Sequence, residues 1–208
     1  DETFRFPVQW ANRPNLDFRG FSGTVASGSI AVGDRIVALP RGRSSKVARI
    51  VGPSGDLDEA GAGLSVTITL ADEIDVSRGD VLVKAPTQIA PQRQLNARLL
   101  AMNETALAPG RNYLVKLGAN LATARIVALH HAVDVHDYSE QPASNLPMNA
   151  IGLATLRFET DVVAASYREC PALGGFVVID PHTNDTLGLG VVEPAVAAAP
   201  KRRSAGER

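Results

Sequence analysis

Polar and apolar side chains alternate with a period of two through most of this chain, and a helical period of 3.6 is hard to find. The first such run predicts a half-buried strand whose inward face carries Phe4, Phe6, Val8 and Trp10. Five more short β-type runs follow, namely GTVAS, DRIVAL, KVARIV, LSVTITL and DVLVKA. Glycine-rich turn clusters such as SGS and GPSGD separate them. Six short strands at close spacing predict a small closed barrel, which leaves few exposed strand edges.

A second β-rich series begins after PTQIAPQRQ, residues 86–94, which has two prolines and no apolar period. Its runs are LNARLLAM, NYLVKL, TARIVALHHAV, IGLATLRF, GGFVVID and TLGLGVV, while residues 161–170 fit a helical turn and a strand equally well. We therefore predict an all-β chain of two consecutive small antiparallel β-barrels. The expected domains are residues 1–87 and 93–193, with a disordered tail or linker at 194–208.

The most patterned segment, GFSGTVASGSIAVGDRI, has almost no side chain capable of chemistry. We expect Gly28 to adopt a positive φ in a turn, which costs glycine little. Gly33 and Asp34 are expected to form the tight turn into DRIVAL. The glycine spacing therefore suits barrel corners.

The formal net charge of −1 hides an asymmetry, because the tail after Glu193 carries four basic residues and one acidic residue. The body without this +3 tail thus has a charge of −4, which disfavours a dedicated nucleic-acid binder. No stretch approaches the ~18 apolar residues of a membrane helix. The single cysteine, Cys170, excludes an internal disulfide and favours a reducing compartment, and we expect it to be packed rather than reactive.

Motifs for catalysis and phosphate binding are nearly absent. DFRG at 17–20 matches the DxxG string of GTPases. The GxxxxGK[ST] loop that accompanies this string in GTPases does not occur in the sequence. No serine lies in GxSxG, and the carboxylates show no pairing. We therefore predict no catalytic, cofactor-binding or metal-binding residues in this chain.

A cluster of histidines and aspartates at 130–137 is the one candidate for a metal. On a strand, His130, Asp134 and His136 would share a face, which makes zinc geometrically conceivable. No cysteine and no HxxxH helix accompany them, so a solvent-facing strand end running into a polar loop is favoured. His182, in DPHTND, is expected to lie in a turn.

The string GTVASGSIAVGD resembles the G-T-V-x-x-G-x-I-x-x-G-D signature of the second domain of elongation factor Tu-like GTPases. GLSVTITLADEIDVSRGDVL resembles a later part of the same barrel, and GGFVVIDPHTNDTLGLGVV resembles the third domain. Within that superfamily, PVQWANRPNLDFRG is similar to the large, GTP-hydrolysing subunit of bacterial sulfate adenylyltransferase. The resemblance covers residues 3–193.

This resemblance implies a role in a larger protein. In the family, a small subunit forms adenosine 5′-phosphosulfate and pyrophosphate from ATP and sulfate, and the large subunit couples GTP hydrolysis to that reaction. GTP and magnesium bind a domain that precedes the barrels, so the fragment itself is expected to be inactive and without a cofactor. The implied partners are that GTPase domain, the small catalytic subunit and, as in some family members, an adenylylsulfate kinase fused after the tail. The implied location is the cytoplasm, with no membrane or nucleic-acid partner.

Three residues are candidates for interdomain or partner contacts because they carry charge beside turns. They are Arg19 in DFRG, and Arg78 and Asp80 in SRGD. Exposed turn residues without a partner are an equally good interpretation of each.

Two alternatives remain open. The chain could be the equivalent part of a translation factor, whose second domain engages the end of a tRNA and would show salt-dependent RNA affinity. It could also be a free-standing interaction module. The start at Asp1 rather than Met favours a piece of a longer polypeptide.

Overall fold

The computed structural model describes residues 3–13 and 18–194, so most of the predicted tail lies outside the described residues. The first half contains the strands β1 (Arg5–Asn12), β2 (Gly20–Thr24), β3 (Ser29–Ala31), β4 (Arg35–Leu39), β5 (Arg43–Gly52), β6 (Gly55–Leu57), β7 (Glu59–Gly61), β8 (Ser65–Leu70) and β9 (Val81–Lys84). The second half contains β10 (Gln92–Ala101), β11 (Asn112–Leu117), β12 (Asn120–Val133), β13 (Glu140–Gln141), β14 (Ile151–Val162), the short helix α1 (Pro171–Gly174), β15 (Gly175–Ile179) and β16 (Thr186–Val192).

Each half closes into a six-stranded antiparallel barrel. Barrel 1 has the strand order β4-β9-β1-β2-β8-β5, and pairing of β4 with β5 closes it. Barrel 2 has the order β11-β15-β16-β10-β14-β12, and pairing of β11 with β12 closes it. The predicted fold class is confirmed, and the twelve runs identified by alternation supply the twelve barrel strands. The short strands β3, β6, β7 and β13 were not predicted, because two or three residues carry no readable period.

Each barrel has its own core, made from the alternate side chains that point inward. The core of barrel 1 includes Phe6, Phe21, Ile36, Ile50, Ile68 and Leu82, and the core of barrel 2 includes Leu99, Leu107, Tyr113, Leu146 and Leu156. Burying one such side chain contributes about 1.5–3 kcal/mol. The buried Tyr113 hydroxyl donates to the Ala108 carbonyl and accepts from the Ala108 amide, so no polar atom is left unpaired there.

The patterned glycines serve two different purposes. Gly28 has a φ of 66°, and Gly33 has a φ of 89° in a turn closed by the Asp34 amide on the Ala31 carbonyl, as predicted. Gly20 and Gly23 instead lie in β2, where another strand passes close by. A Cβ at Gly23 would lie 2.4 Å from the Pro7 carbonyl oxygen of β1. The pattern therefore encodes close strand approach as well as turns.

One local prediction, the inward-facing position of Trp10, is wrong, and one segment that the sequence left ambiguous is resolved. Trp10 is 59% exposed, because a register shift between Val8 and Trp10 moves its side chain off the inward face. The segment 161–170 forms the end of β14 and a turn, and the helix begins only at Pro171. Within the described parts of the chain, no helix is both long and apolar enough to span a membrane.

Candidate functional site at the junction of the barrels

The two barrels pack against each other through a small apolar cluster of their own, which we name the junction cluster. Barrel 1 supplies Leu39, Val81 and Val83 to it, and the segment after β14 supplies Val163, Cys170 and Leu173. Cys170 is almost fully buried in this cluster, so the prediction of a packed cysteine is confirmed. Leu173 lies in the short helix α1, which begins directly after Cys170.

An ion pair between the barrels lies beside the junction cluster. The Arg5 guanidinium of β1 pairs with the Glu169 carboxylate of barrel 2 and also donates to the Ser27 hydroxyl at 3.2 Å. The Arg5 side chain is 8% exposed, whereas Glu169 is 56% exposed. A buried guanidinium without its carboxylate would be costly, so this pair favours one mutual orientation of the barrels.

The SRGD turn forms a second contact between the barrels. The Asp80 carboxylate accepts from the Ser77 amide at 2.9 Å and from Arg41 at 2.7 Å, which fixes the turn from inside. Gly79, with a φ of 93°, packs so closely that a Cβ there would lie 3.0 Å from the Asn120 Cα of barrel 2. The turn thus brings barrel 1 against the start of β12.

The predicted contact residues occupy different environments. Asp80 is buried and engaged within its own turn, and Arg78 is exposed in a groove of about 500 Å³ between the barrels, lined also by Pro40, Asn120 and Thr160. Arg19 lies apart from both, with its guanidinium carbon 5.6 Å from the centre of the Phe21 ring. The structure therefore brings Arg78 and Asp80 together and leaves Arg19 on another part of barrel 1. Their role in partner contacts stays a prediction.

Burial raises the pKa of Asp80 above its usual value, although the Ser77 amide and Arg41 act in the opposite direction. The folded protein then holds this proton more tightly than the unfolded chain. The contribution of Asp80 to stability is therefore greatest at low pH and falls as the pH rises through the folded pKa.

We expect the free energy of unfolding to fall less between pH 4 and pH 7 in Asp80→Asn than in the unsubstituted protein. The amide oxygen of the new side chain can still accept from the Ser77 amide. Asp80→Ala leaves the Ser77 amide without an acceptor and is expected to lose about 1–3 kcal/mol at pH 7. Urea unfolding across that pH range measures both effects. Identical pH profiles for Asp80→Asn and the unsubstituted protein would contradict the pKa direction.

The histidines are engaged separately. His130 Nε2 lies 2.8 Å from the Thr155 hydroxyl, which donates to Asn96. His131 faces Glu140 at 3.4 Å, while the His136 amide donates to Asp134 in the turn after β12. No group of three or more potential ligands with metal-binding geometry occurs among residues 3–13 and 18–194. His182 lies in a turn, as predicted, and its backbone amide donates a hydrogen bond to the Asp180 carboxylate.

A larger groove beside the junction, of about 680 Å³, is lined by Thr3, Arg5, Gln88, Gln92, Glu169 and Leu173, among others. It brings together a paired guanidinium, amides and aliphatic side chains, and its lining contains no histidine, cysteine or serine. This set of side chains suits packing of the two barrels against each other. Arg5 and Glu169 were not predicted as contact residues. The only signal in the sequence was the position of Arg5 between two phenylalanines of the core.

The sequence of this chain is similar to the sequences of known proteins. The family model described as GTP-eEF1A C-terminal domain-like matches residues 94–193. Sulfate adenylyltransferase subunit 1 from Vibrio vulnificus strain YJ016 is 47% identical over 97% of this chain, which covers 42% of that protein. The same subunit from Aliivibrio fischeri strain MJ11 is 49% identical over 91% of this chain and 40% of its own length. The chain thus spans about two fifths of the length of the curated relatives it matches.

Solved structures support the fold alone. Sup35 complexed with GDP superposes with a TM-score of 0.85 over 94% of this chain and 48% of its own, at 18% identity. Sup35 complexed with GMPPNP gives a TM-score of 0.81 at 16% identity. The chain is therefore a homologue of part of sulfate adenylyltransferase subunit 1, built on the paired barrels of translation-factor GTPases.

Proposed function

We propose that this chain is the two-barrel portion of the GTP-hydrolysing subunit of sulfate adenylyltransferase. It would couple GTP hydrolysis in a domain outside this chain to the formation of adenosine 5′-phosphosulfate from ATP and sulfate by the small subunit. The observation that carries the proposal is identity of 47% to subunit 1 over nearly the whole chain. The function of the complete protein would be sulfate assimilation in the cytoplasm.

The barrels would act as a relay rather than as a catalyst. Their junction joins them through an apolar cluster, an ion pair and the SRGD turn, so a shift of barrel 1 would carry barrel 2 with it. Barrel 1 would pack on the nucleotide-dependent segments of the GTPase domain, which would hold GTP and magnesium. The relay would then bias contact with the small subunit between two arrangements. A kinase fused after the tail would be a further partner.

The test uses the complete large subunit, including the residues encoded before Asp1, together with the purified small subunit. We expect GTP to accelerate pyrophosphate release from ATP and sulfate, and GDP to leave the rate unchanged. A complex whose rate is the same with and without GTP would contradict the proposal. Salt-dependent binding of tRNA by the same protein, with no effect of GTP on sulfate activation, would favour the translation-factor alternative.

A further inference from the structure

A row of polar side chains crosses four neighbouring strands on the outside of barrel 2. Strand register places Asn112 opposite Arg125, Arg125 opposite Arg157, and Arg157 opposite Gln94. We name these four residues the arginine row. Three strand spacings make it about 14 Å long. It lies in a groove of about 530 Å³ that is also lined by Arg93, Val127 and Glu159.

The two central arginines face each other across the strands without a carboxylate between them. Like charges directly opposite each other destabilise a sheet. Neither Arg125 nor Arg157 has an ion-pair partner within 4.0 Å in the described part of the chain. Among the described residues, the charges of Arg125 and Arg157 are therefore not neutralised by an ion pair.

Two arginines of the groove are held so that their terminal nitrogens remain available. Arg125 donates through Nε to the Asn112 side chain at 3.0 Å, and Arg93 donates through Nε to Asp161 at 2.7 Å. An arginine fixed by Nε presents its outer N–H groups in a planar fork that matches a carboxylate. The row is thus partly ordered before any partner binds.

Two irregularities of the strands border the same groove. Arg93 lies at the register shift between Gln92 and Gln94, and Val127 lies at the shift between Ile126 and Ala128. Bulges redirect side chains and concentrate next to functional sites. Here they add a third arginine and an aliphatic side chain that is 40% exposed.

We propose that the arginine row is a docking surface for an extended, carboxylate-rich segment of a protein partner. The arginine forks would bind its carboxylates, Asn112 and Gln94 would bind its backbone, and Val127 would contact an aliphatic side chain. A row of about 14 Å is longer than one phosphate group needs and fits about four residues of extended chain. A nucleic acid fits less well, because the chain has a net charge of −1 and so lacks the overall positive charge that is typical of nucleic-acid binders.

The test measures fluorescence anisotropy of fluorescein-labelled hexaglutamate with the full chain at low salt. We expect saturable binding. In the double variant Arg125→Gln/Arg157→Gln the binding should weaken at least about tenfold, which corresponds to about 1.4 kcal/mol. The matched control Arg35→Gln/Arg43→Gln removes two exposed arginines from barrel 1 that also have no ion pair in the described part of the chain, and it is expected to change the Kd less than about twofold. The single variant Arg157→Gln should show an intermediate loss.

Thermal unfolding accompanies these measurements, and removal of the like-charge pair should leave the Tm no lower than that of the control. Absence of saturable hexaglutamate binding, or an equal loss in both double variants, would overturn the proposal. Tighter binding of a twelve-nucleotide oligothymidylate through the same arginines would overturn it as well, because the row would then be a nucleic-acid site.

Discussion

Replacing Gly23 with alanine is expected to lower the free energy of unfolding by about 3 kcal/mol, because the new methyl group has no space. A Cβ there would lie 2.4 Å from the Pro7 carbonyl oxygen and 3.1 Å from the Phe6 ring. The nearest atom belongs to the backbone of β1, so relief requires the two paired strands to separate. Urea unfolding monitored by circular dichroism measures the loss.

Gly61→Ala is the matched control for this substitution. Gly61 ends β7, which pairs with β3 in a small separate sheet in the first half of the chain, and a Cβ at that position meets no atom within 4 Å. We expect its free energy of unfolding to change by less than about 0.5 kcal/mol. Equal stability of Gly23→Ala and Gly61→Ala would show that β1 and β2 do not approach as closely as the structure shows.

Replacing Leu173 with alanine is expected to cost about 2–4 kcal/mol and to uncouple the unfolding of the barrels. Leu173 is 3% exposed and belongs to the junction cluster together with Val83 and Val163. The variant loses contacts that neither barrel makes within its own core. Its two barrels should therefore unfold at different urea concentrations, whereas we expect the unsubstituted protein to unfold in one transition.

The chain carries two natural reporters for this separation. Its single tryptophan, Trp10, lies in barrel 1, and its three tyrosines, Tyr113, Tyr138 and Tyr167, lie in barrel 2. Tryptophan and tyrosine fluorescence therefore follow the barrels independently. Leu121→Ala removes the same atoms from a leucine that is 57% exposed and should leave the two signals coincident. Coincident transitions in Leu173→Ala would mean that the junction cluster does not couple the barrels.

The barrel strands were predictable because their information is local. Alternation of side chains depends only on near neighbours, so runs such as LSVTITL indicate a strand wherever they occur. The turn at Gly33 was predictable for the same reason. Trp10 shows the limit of this reasoning, since one bulge within β1 reverses the alternation without leaving a trace in the sequence.

The junction and the arginine row were not predictable, because both depend on pairing between distant segments. Arg5 and Glu169 are 164 residues apart in the sequence and pair only across the two barrels. Arg125 and Arg157 become neighbours only through the register of β12 with β14. Of the residues predicted at contacts, Arg78 and Asp80 do lie near the junction. They could be selected from the sequence because the SRGD turn is a recognisable local pattern. The register between strands that are distant in the sequence leaves no comparable local pattern.

The most direct measurement of the proposed relay is GTP-stimulated formation of adenosine 5′-phosphosulfate by the complete two-subunit complex. The unsubstituted complex is compared with complexes that carry Leu173→Ala or Leu121→Ala in the large subunit. All measurements are made at a temperature where both variants are folded. With Leu173→Ala we expect the stimulation by GTP to fall at least about tenfold, while the GTP-independent rate and GTP binding persist. Leu121→Ala should retain full stimulation. Equal stimulation in both variants would contradict coupling through the junction of the barrels.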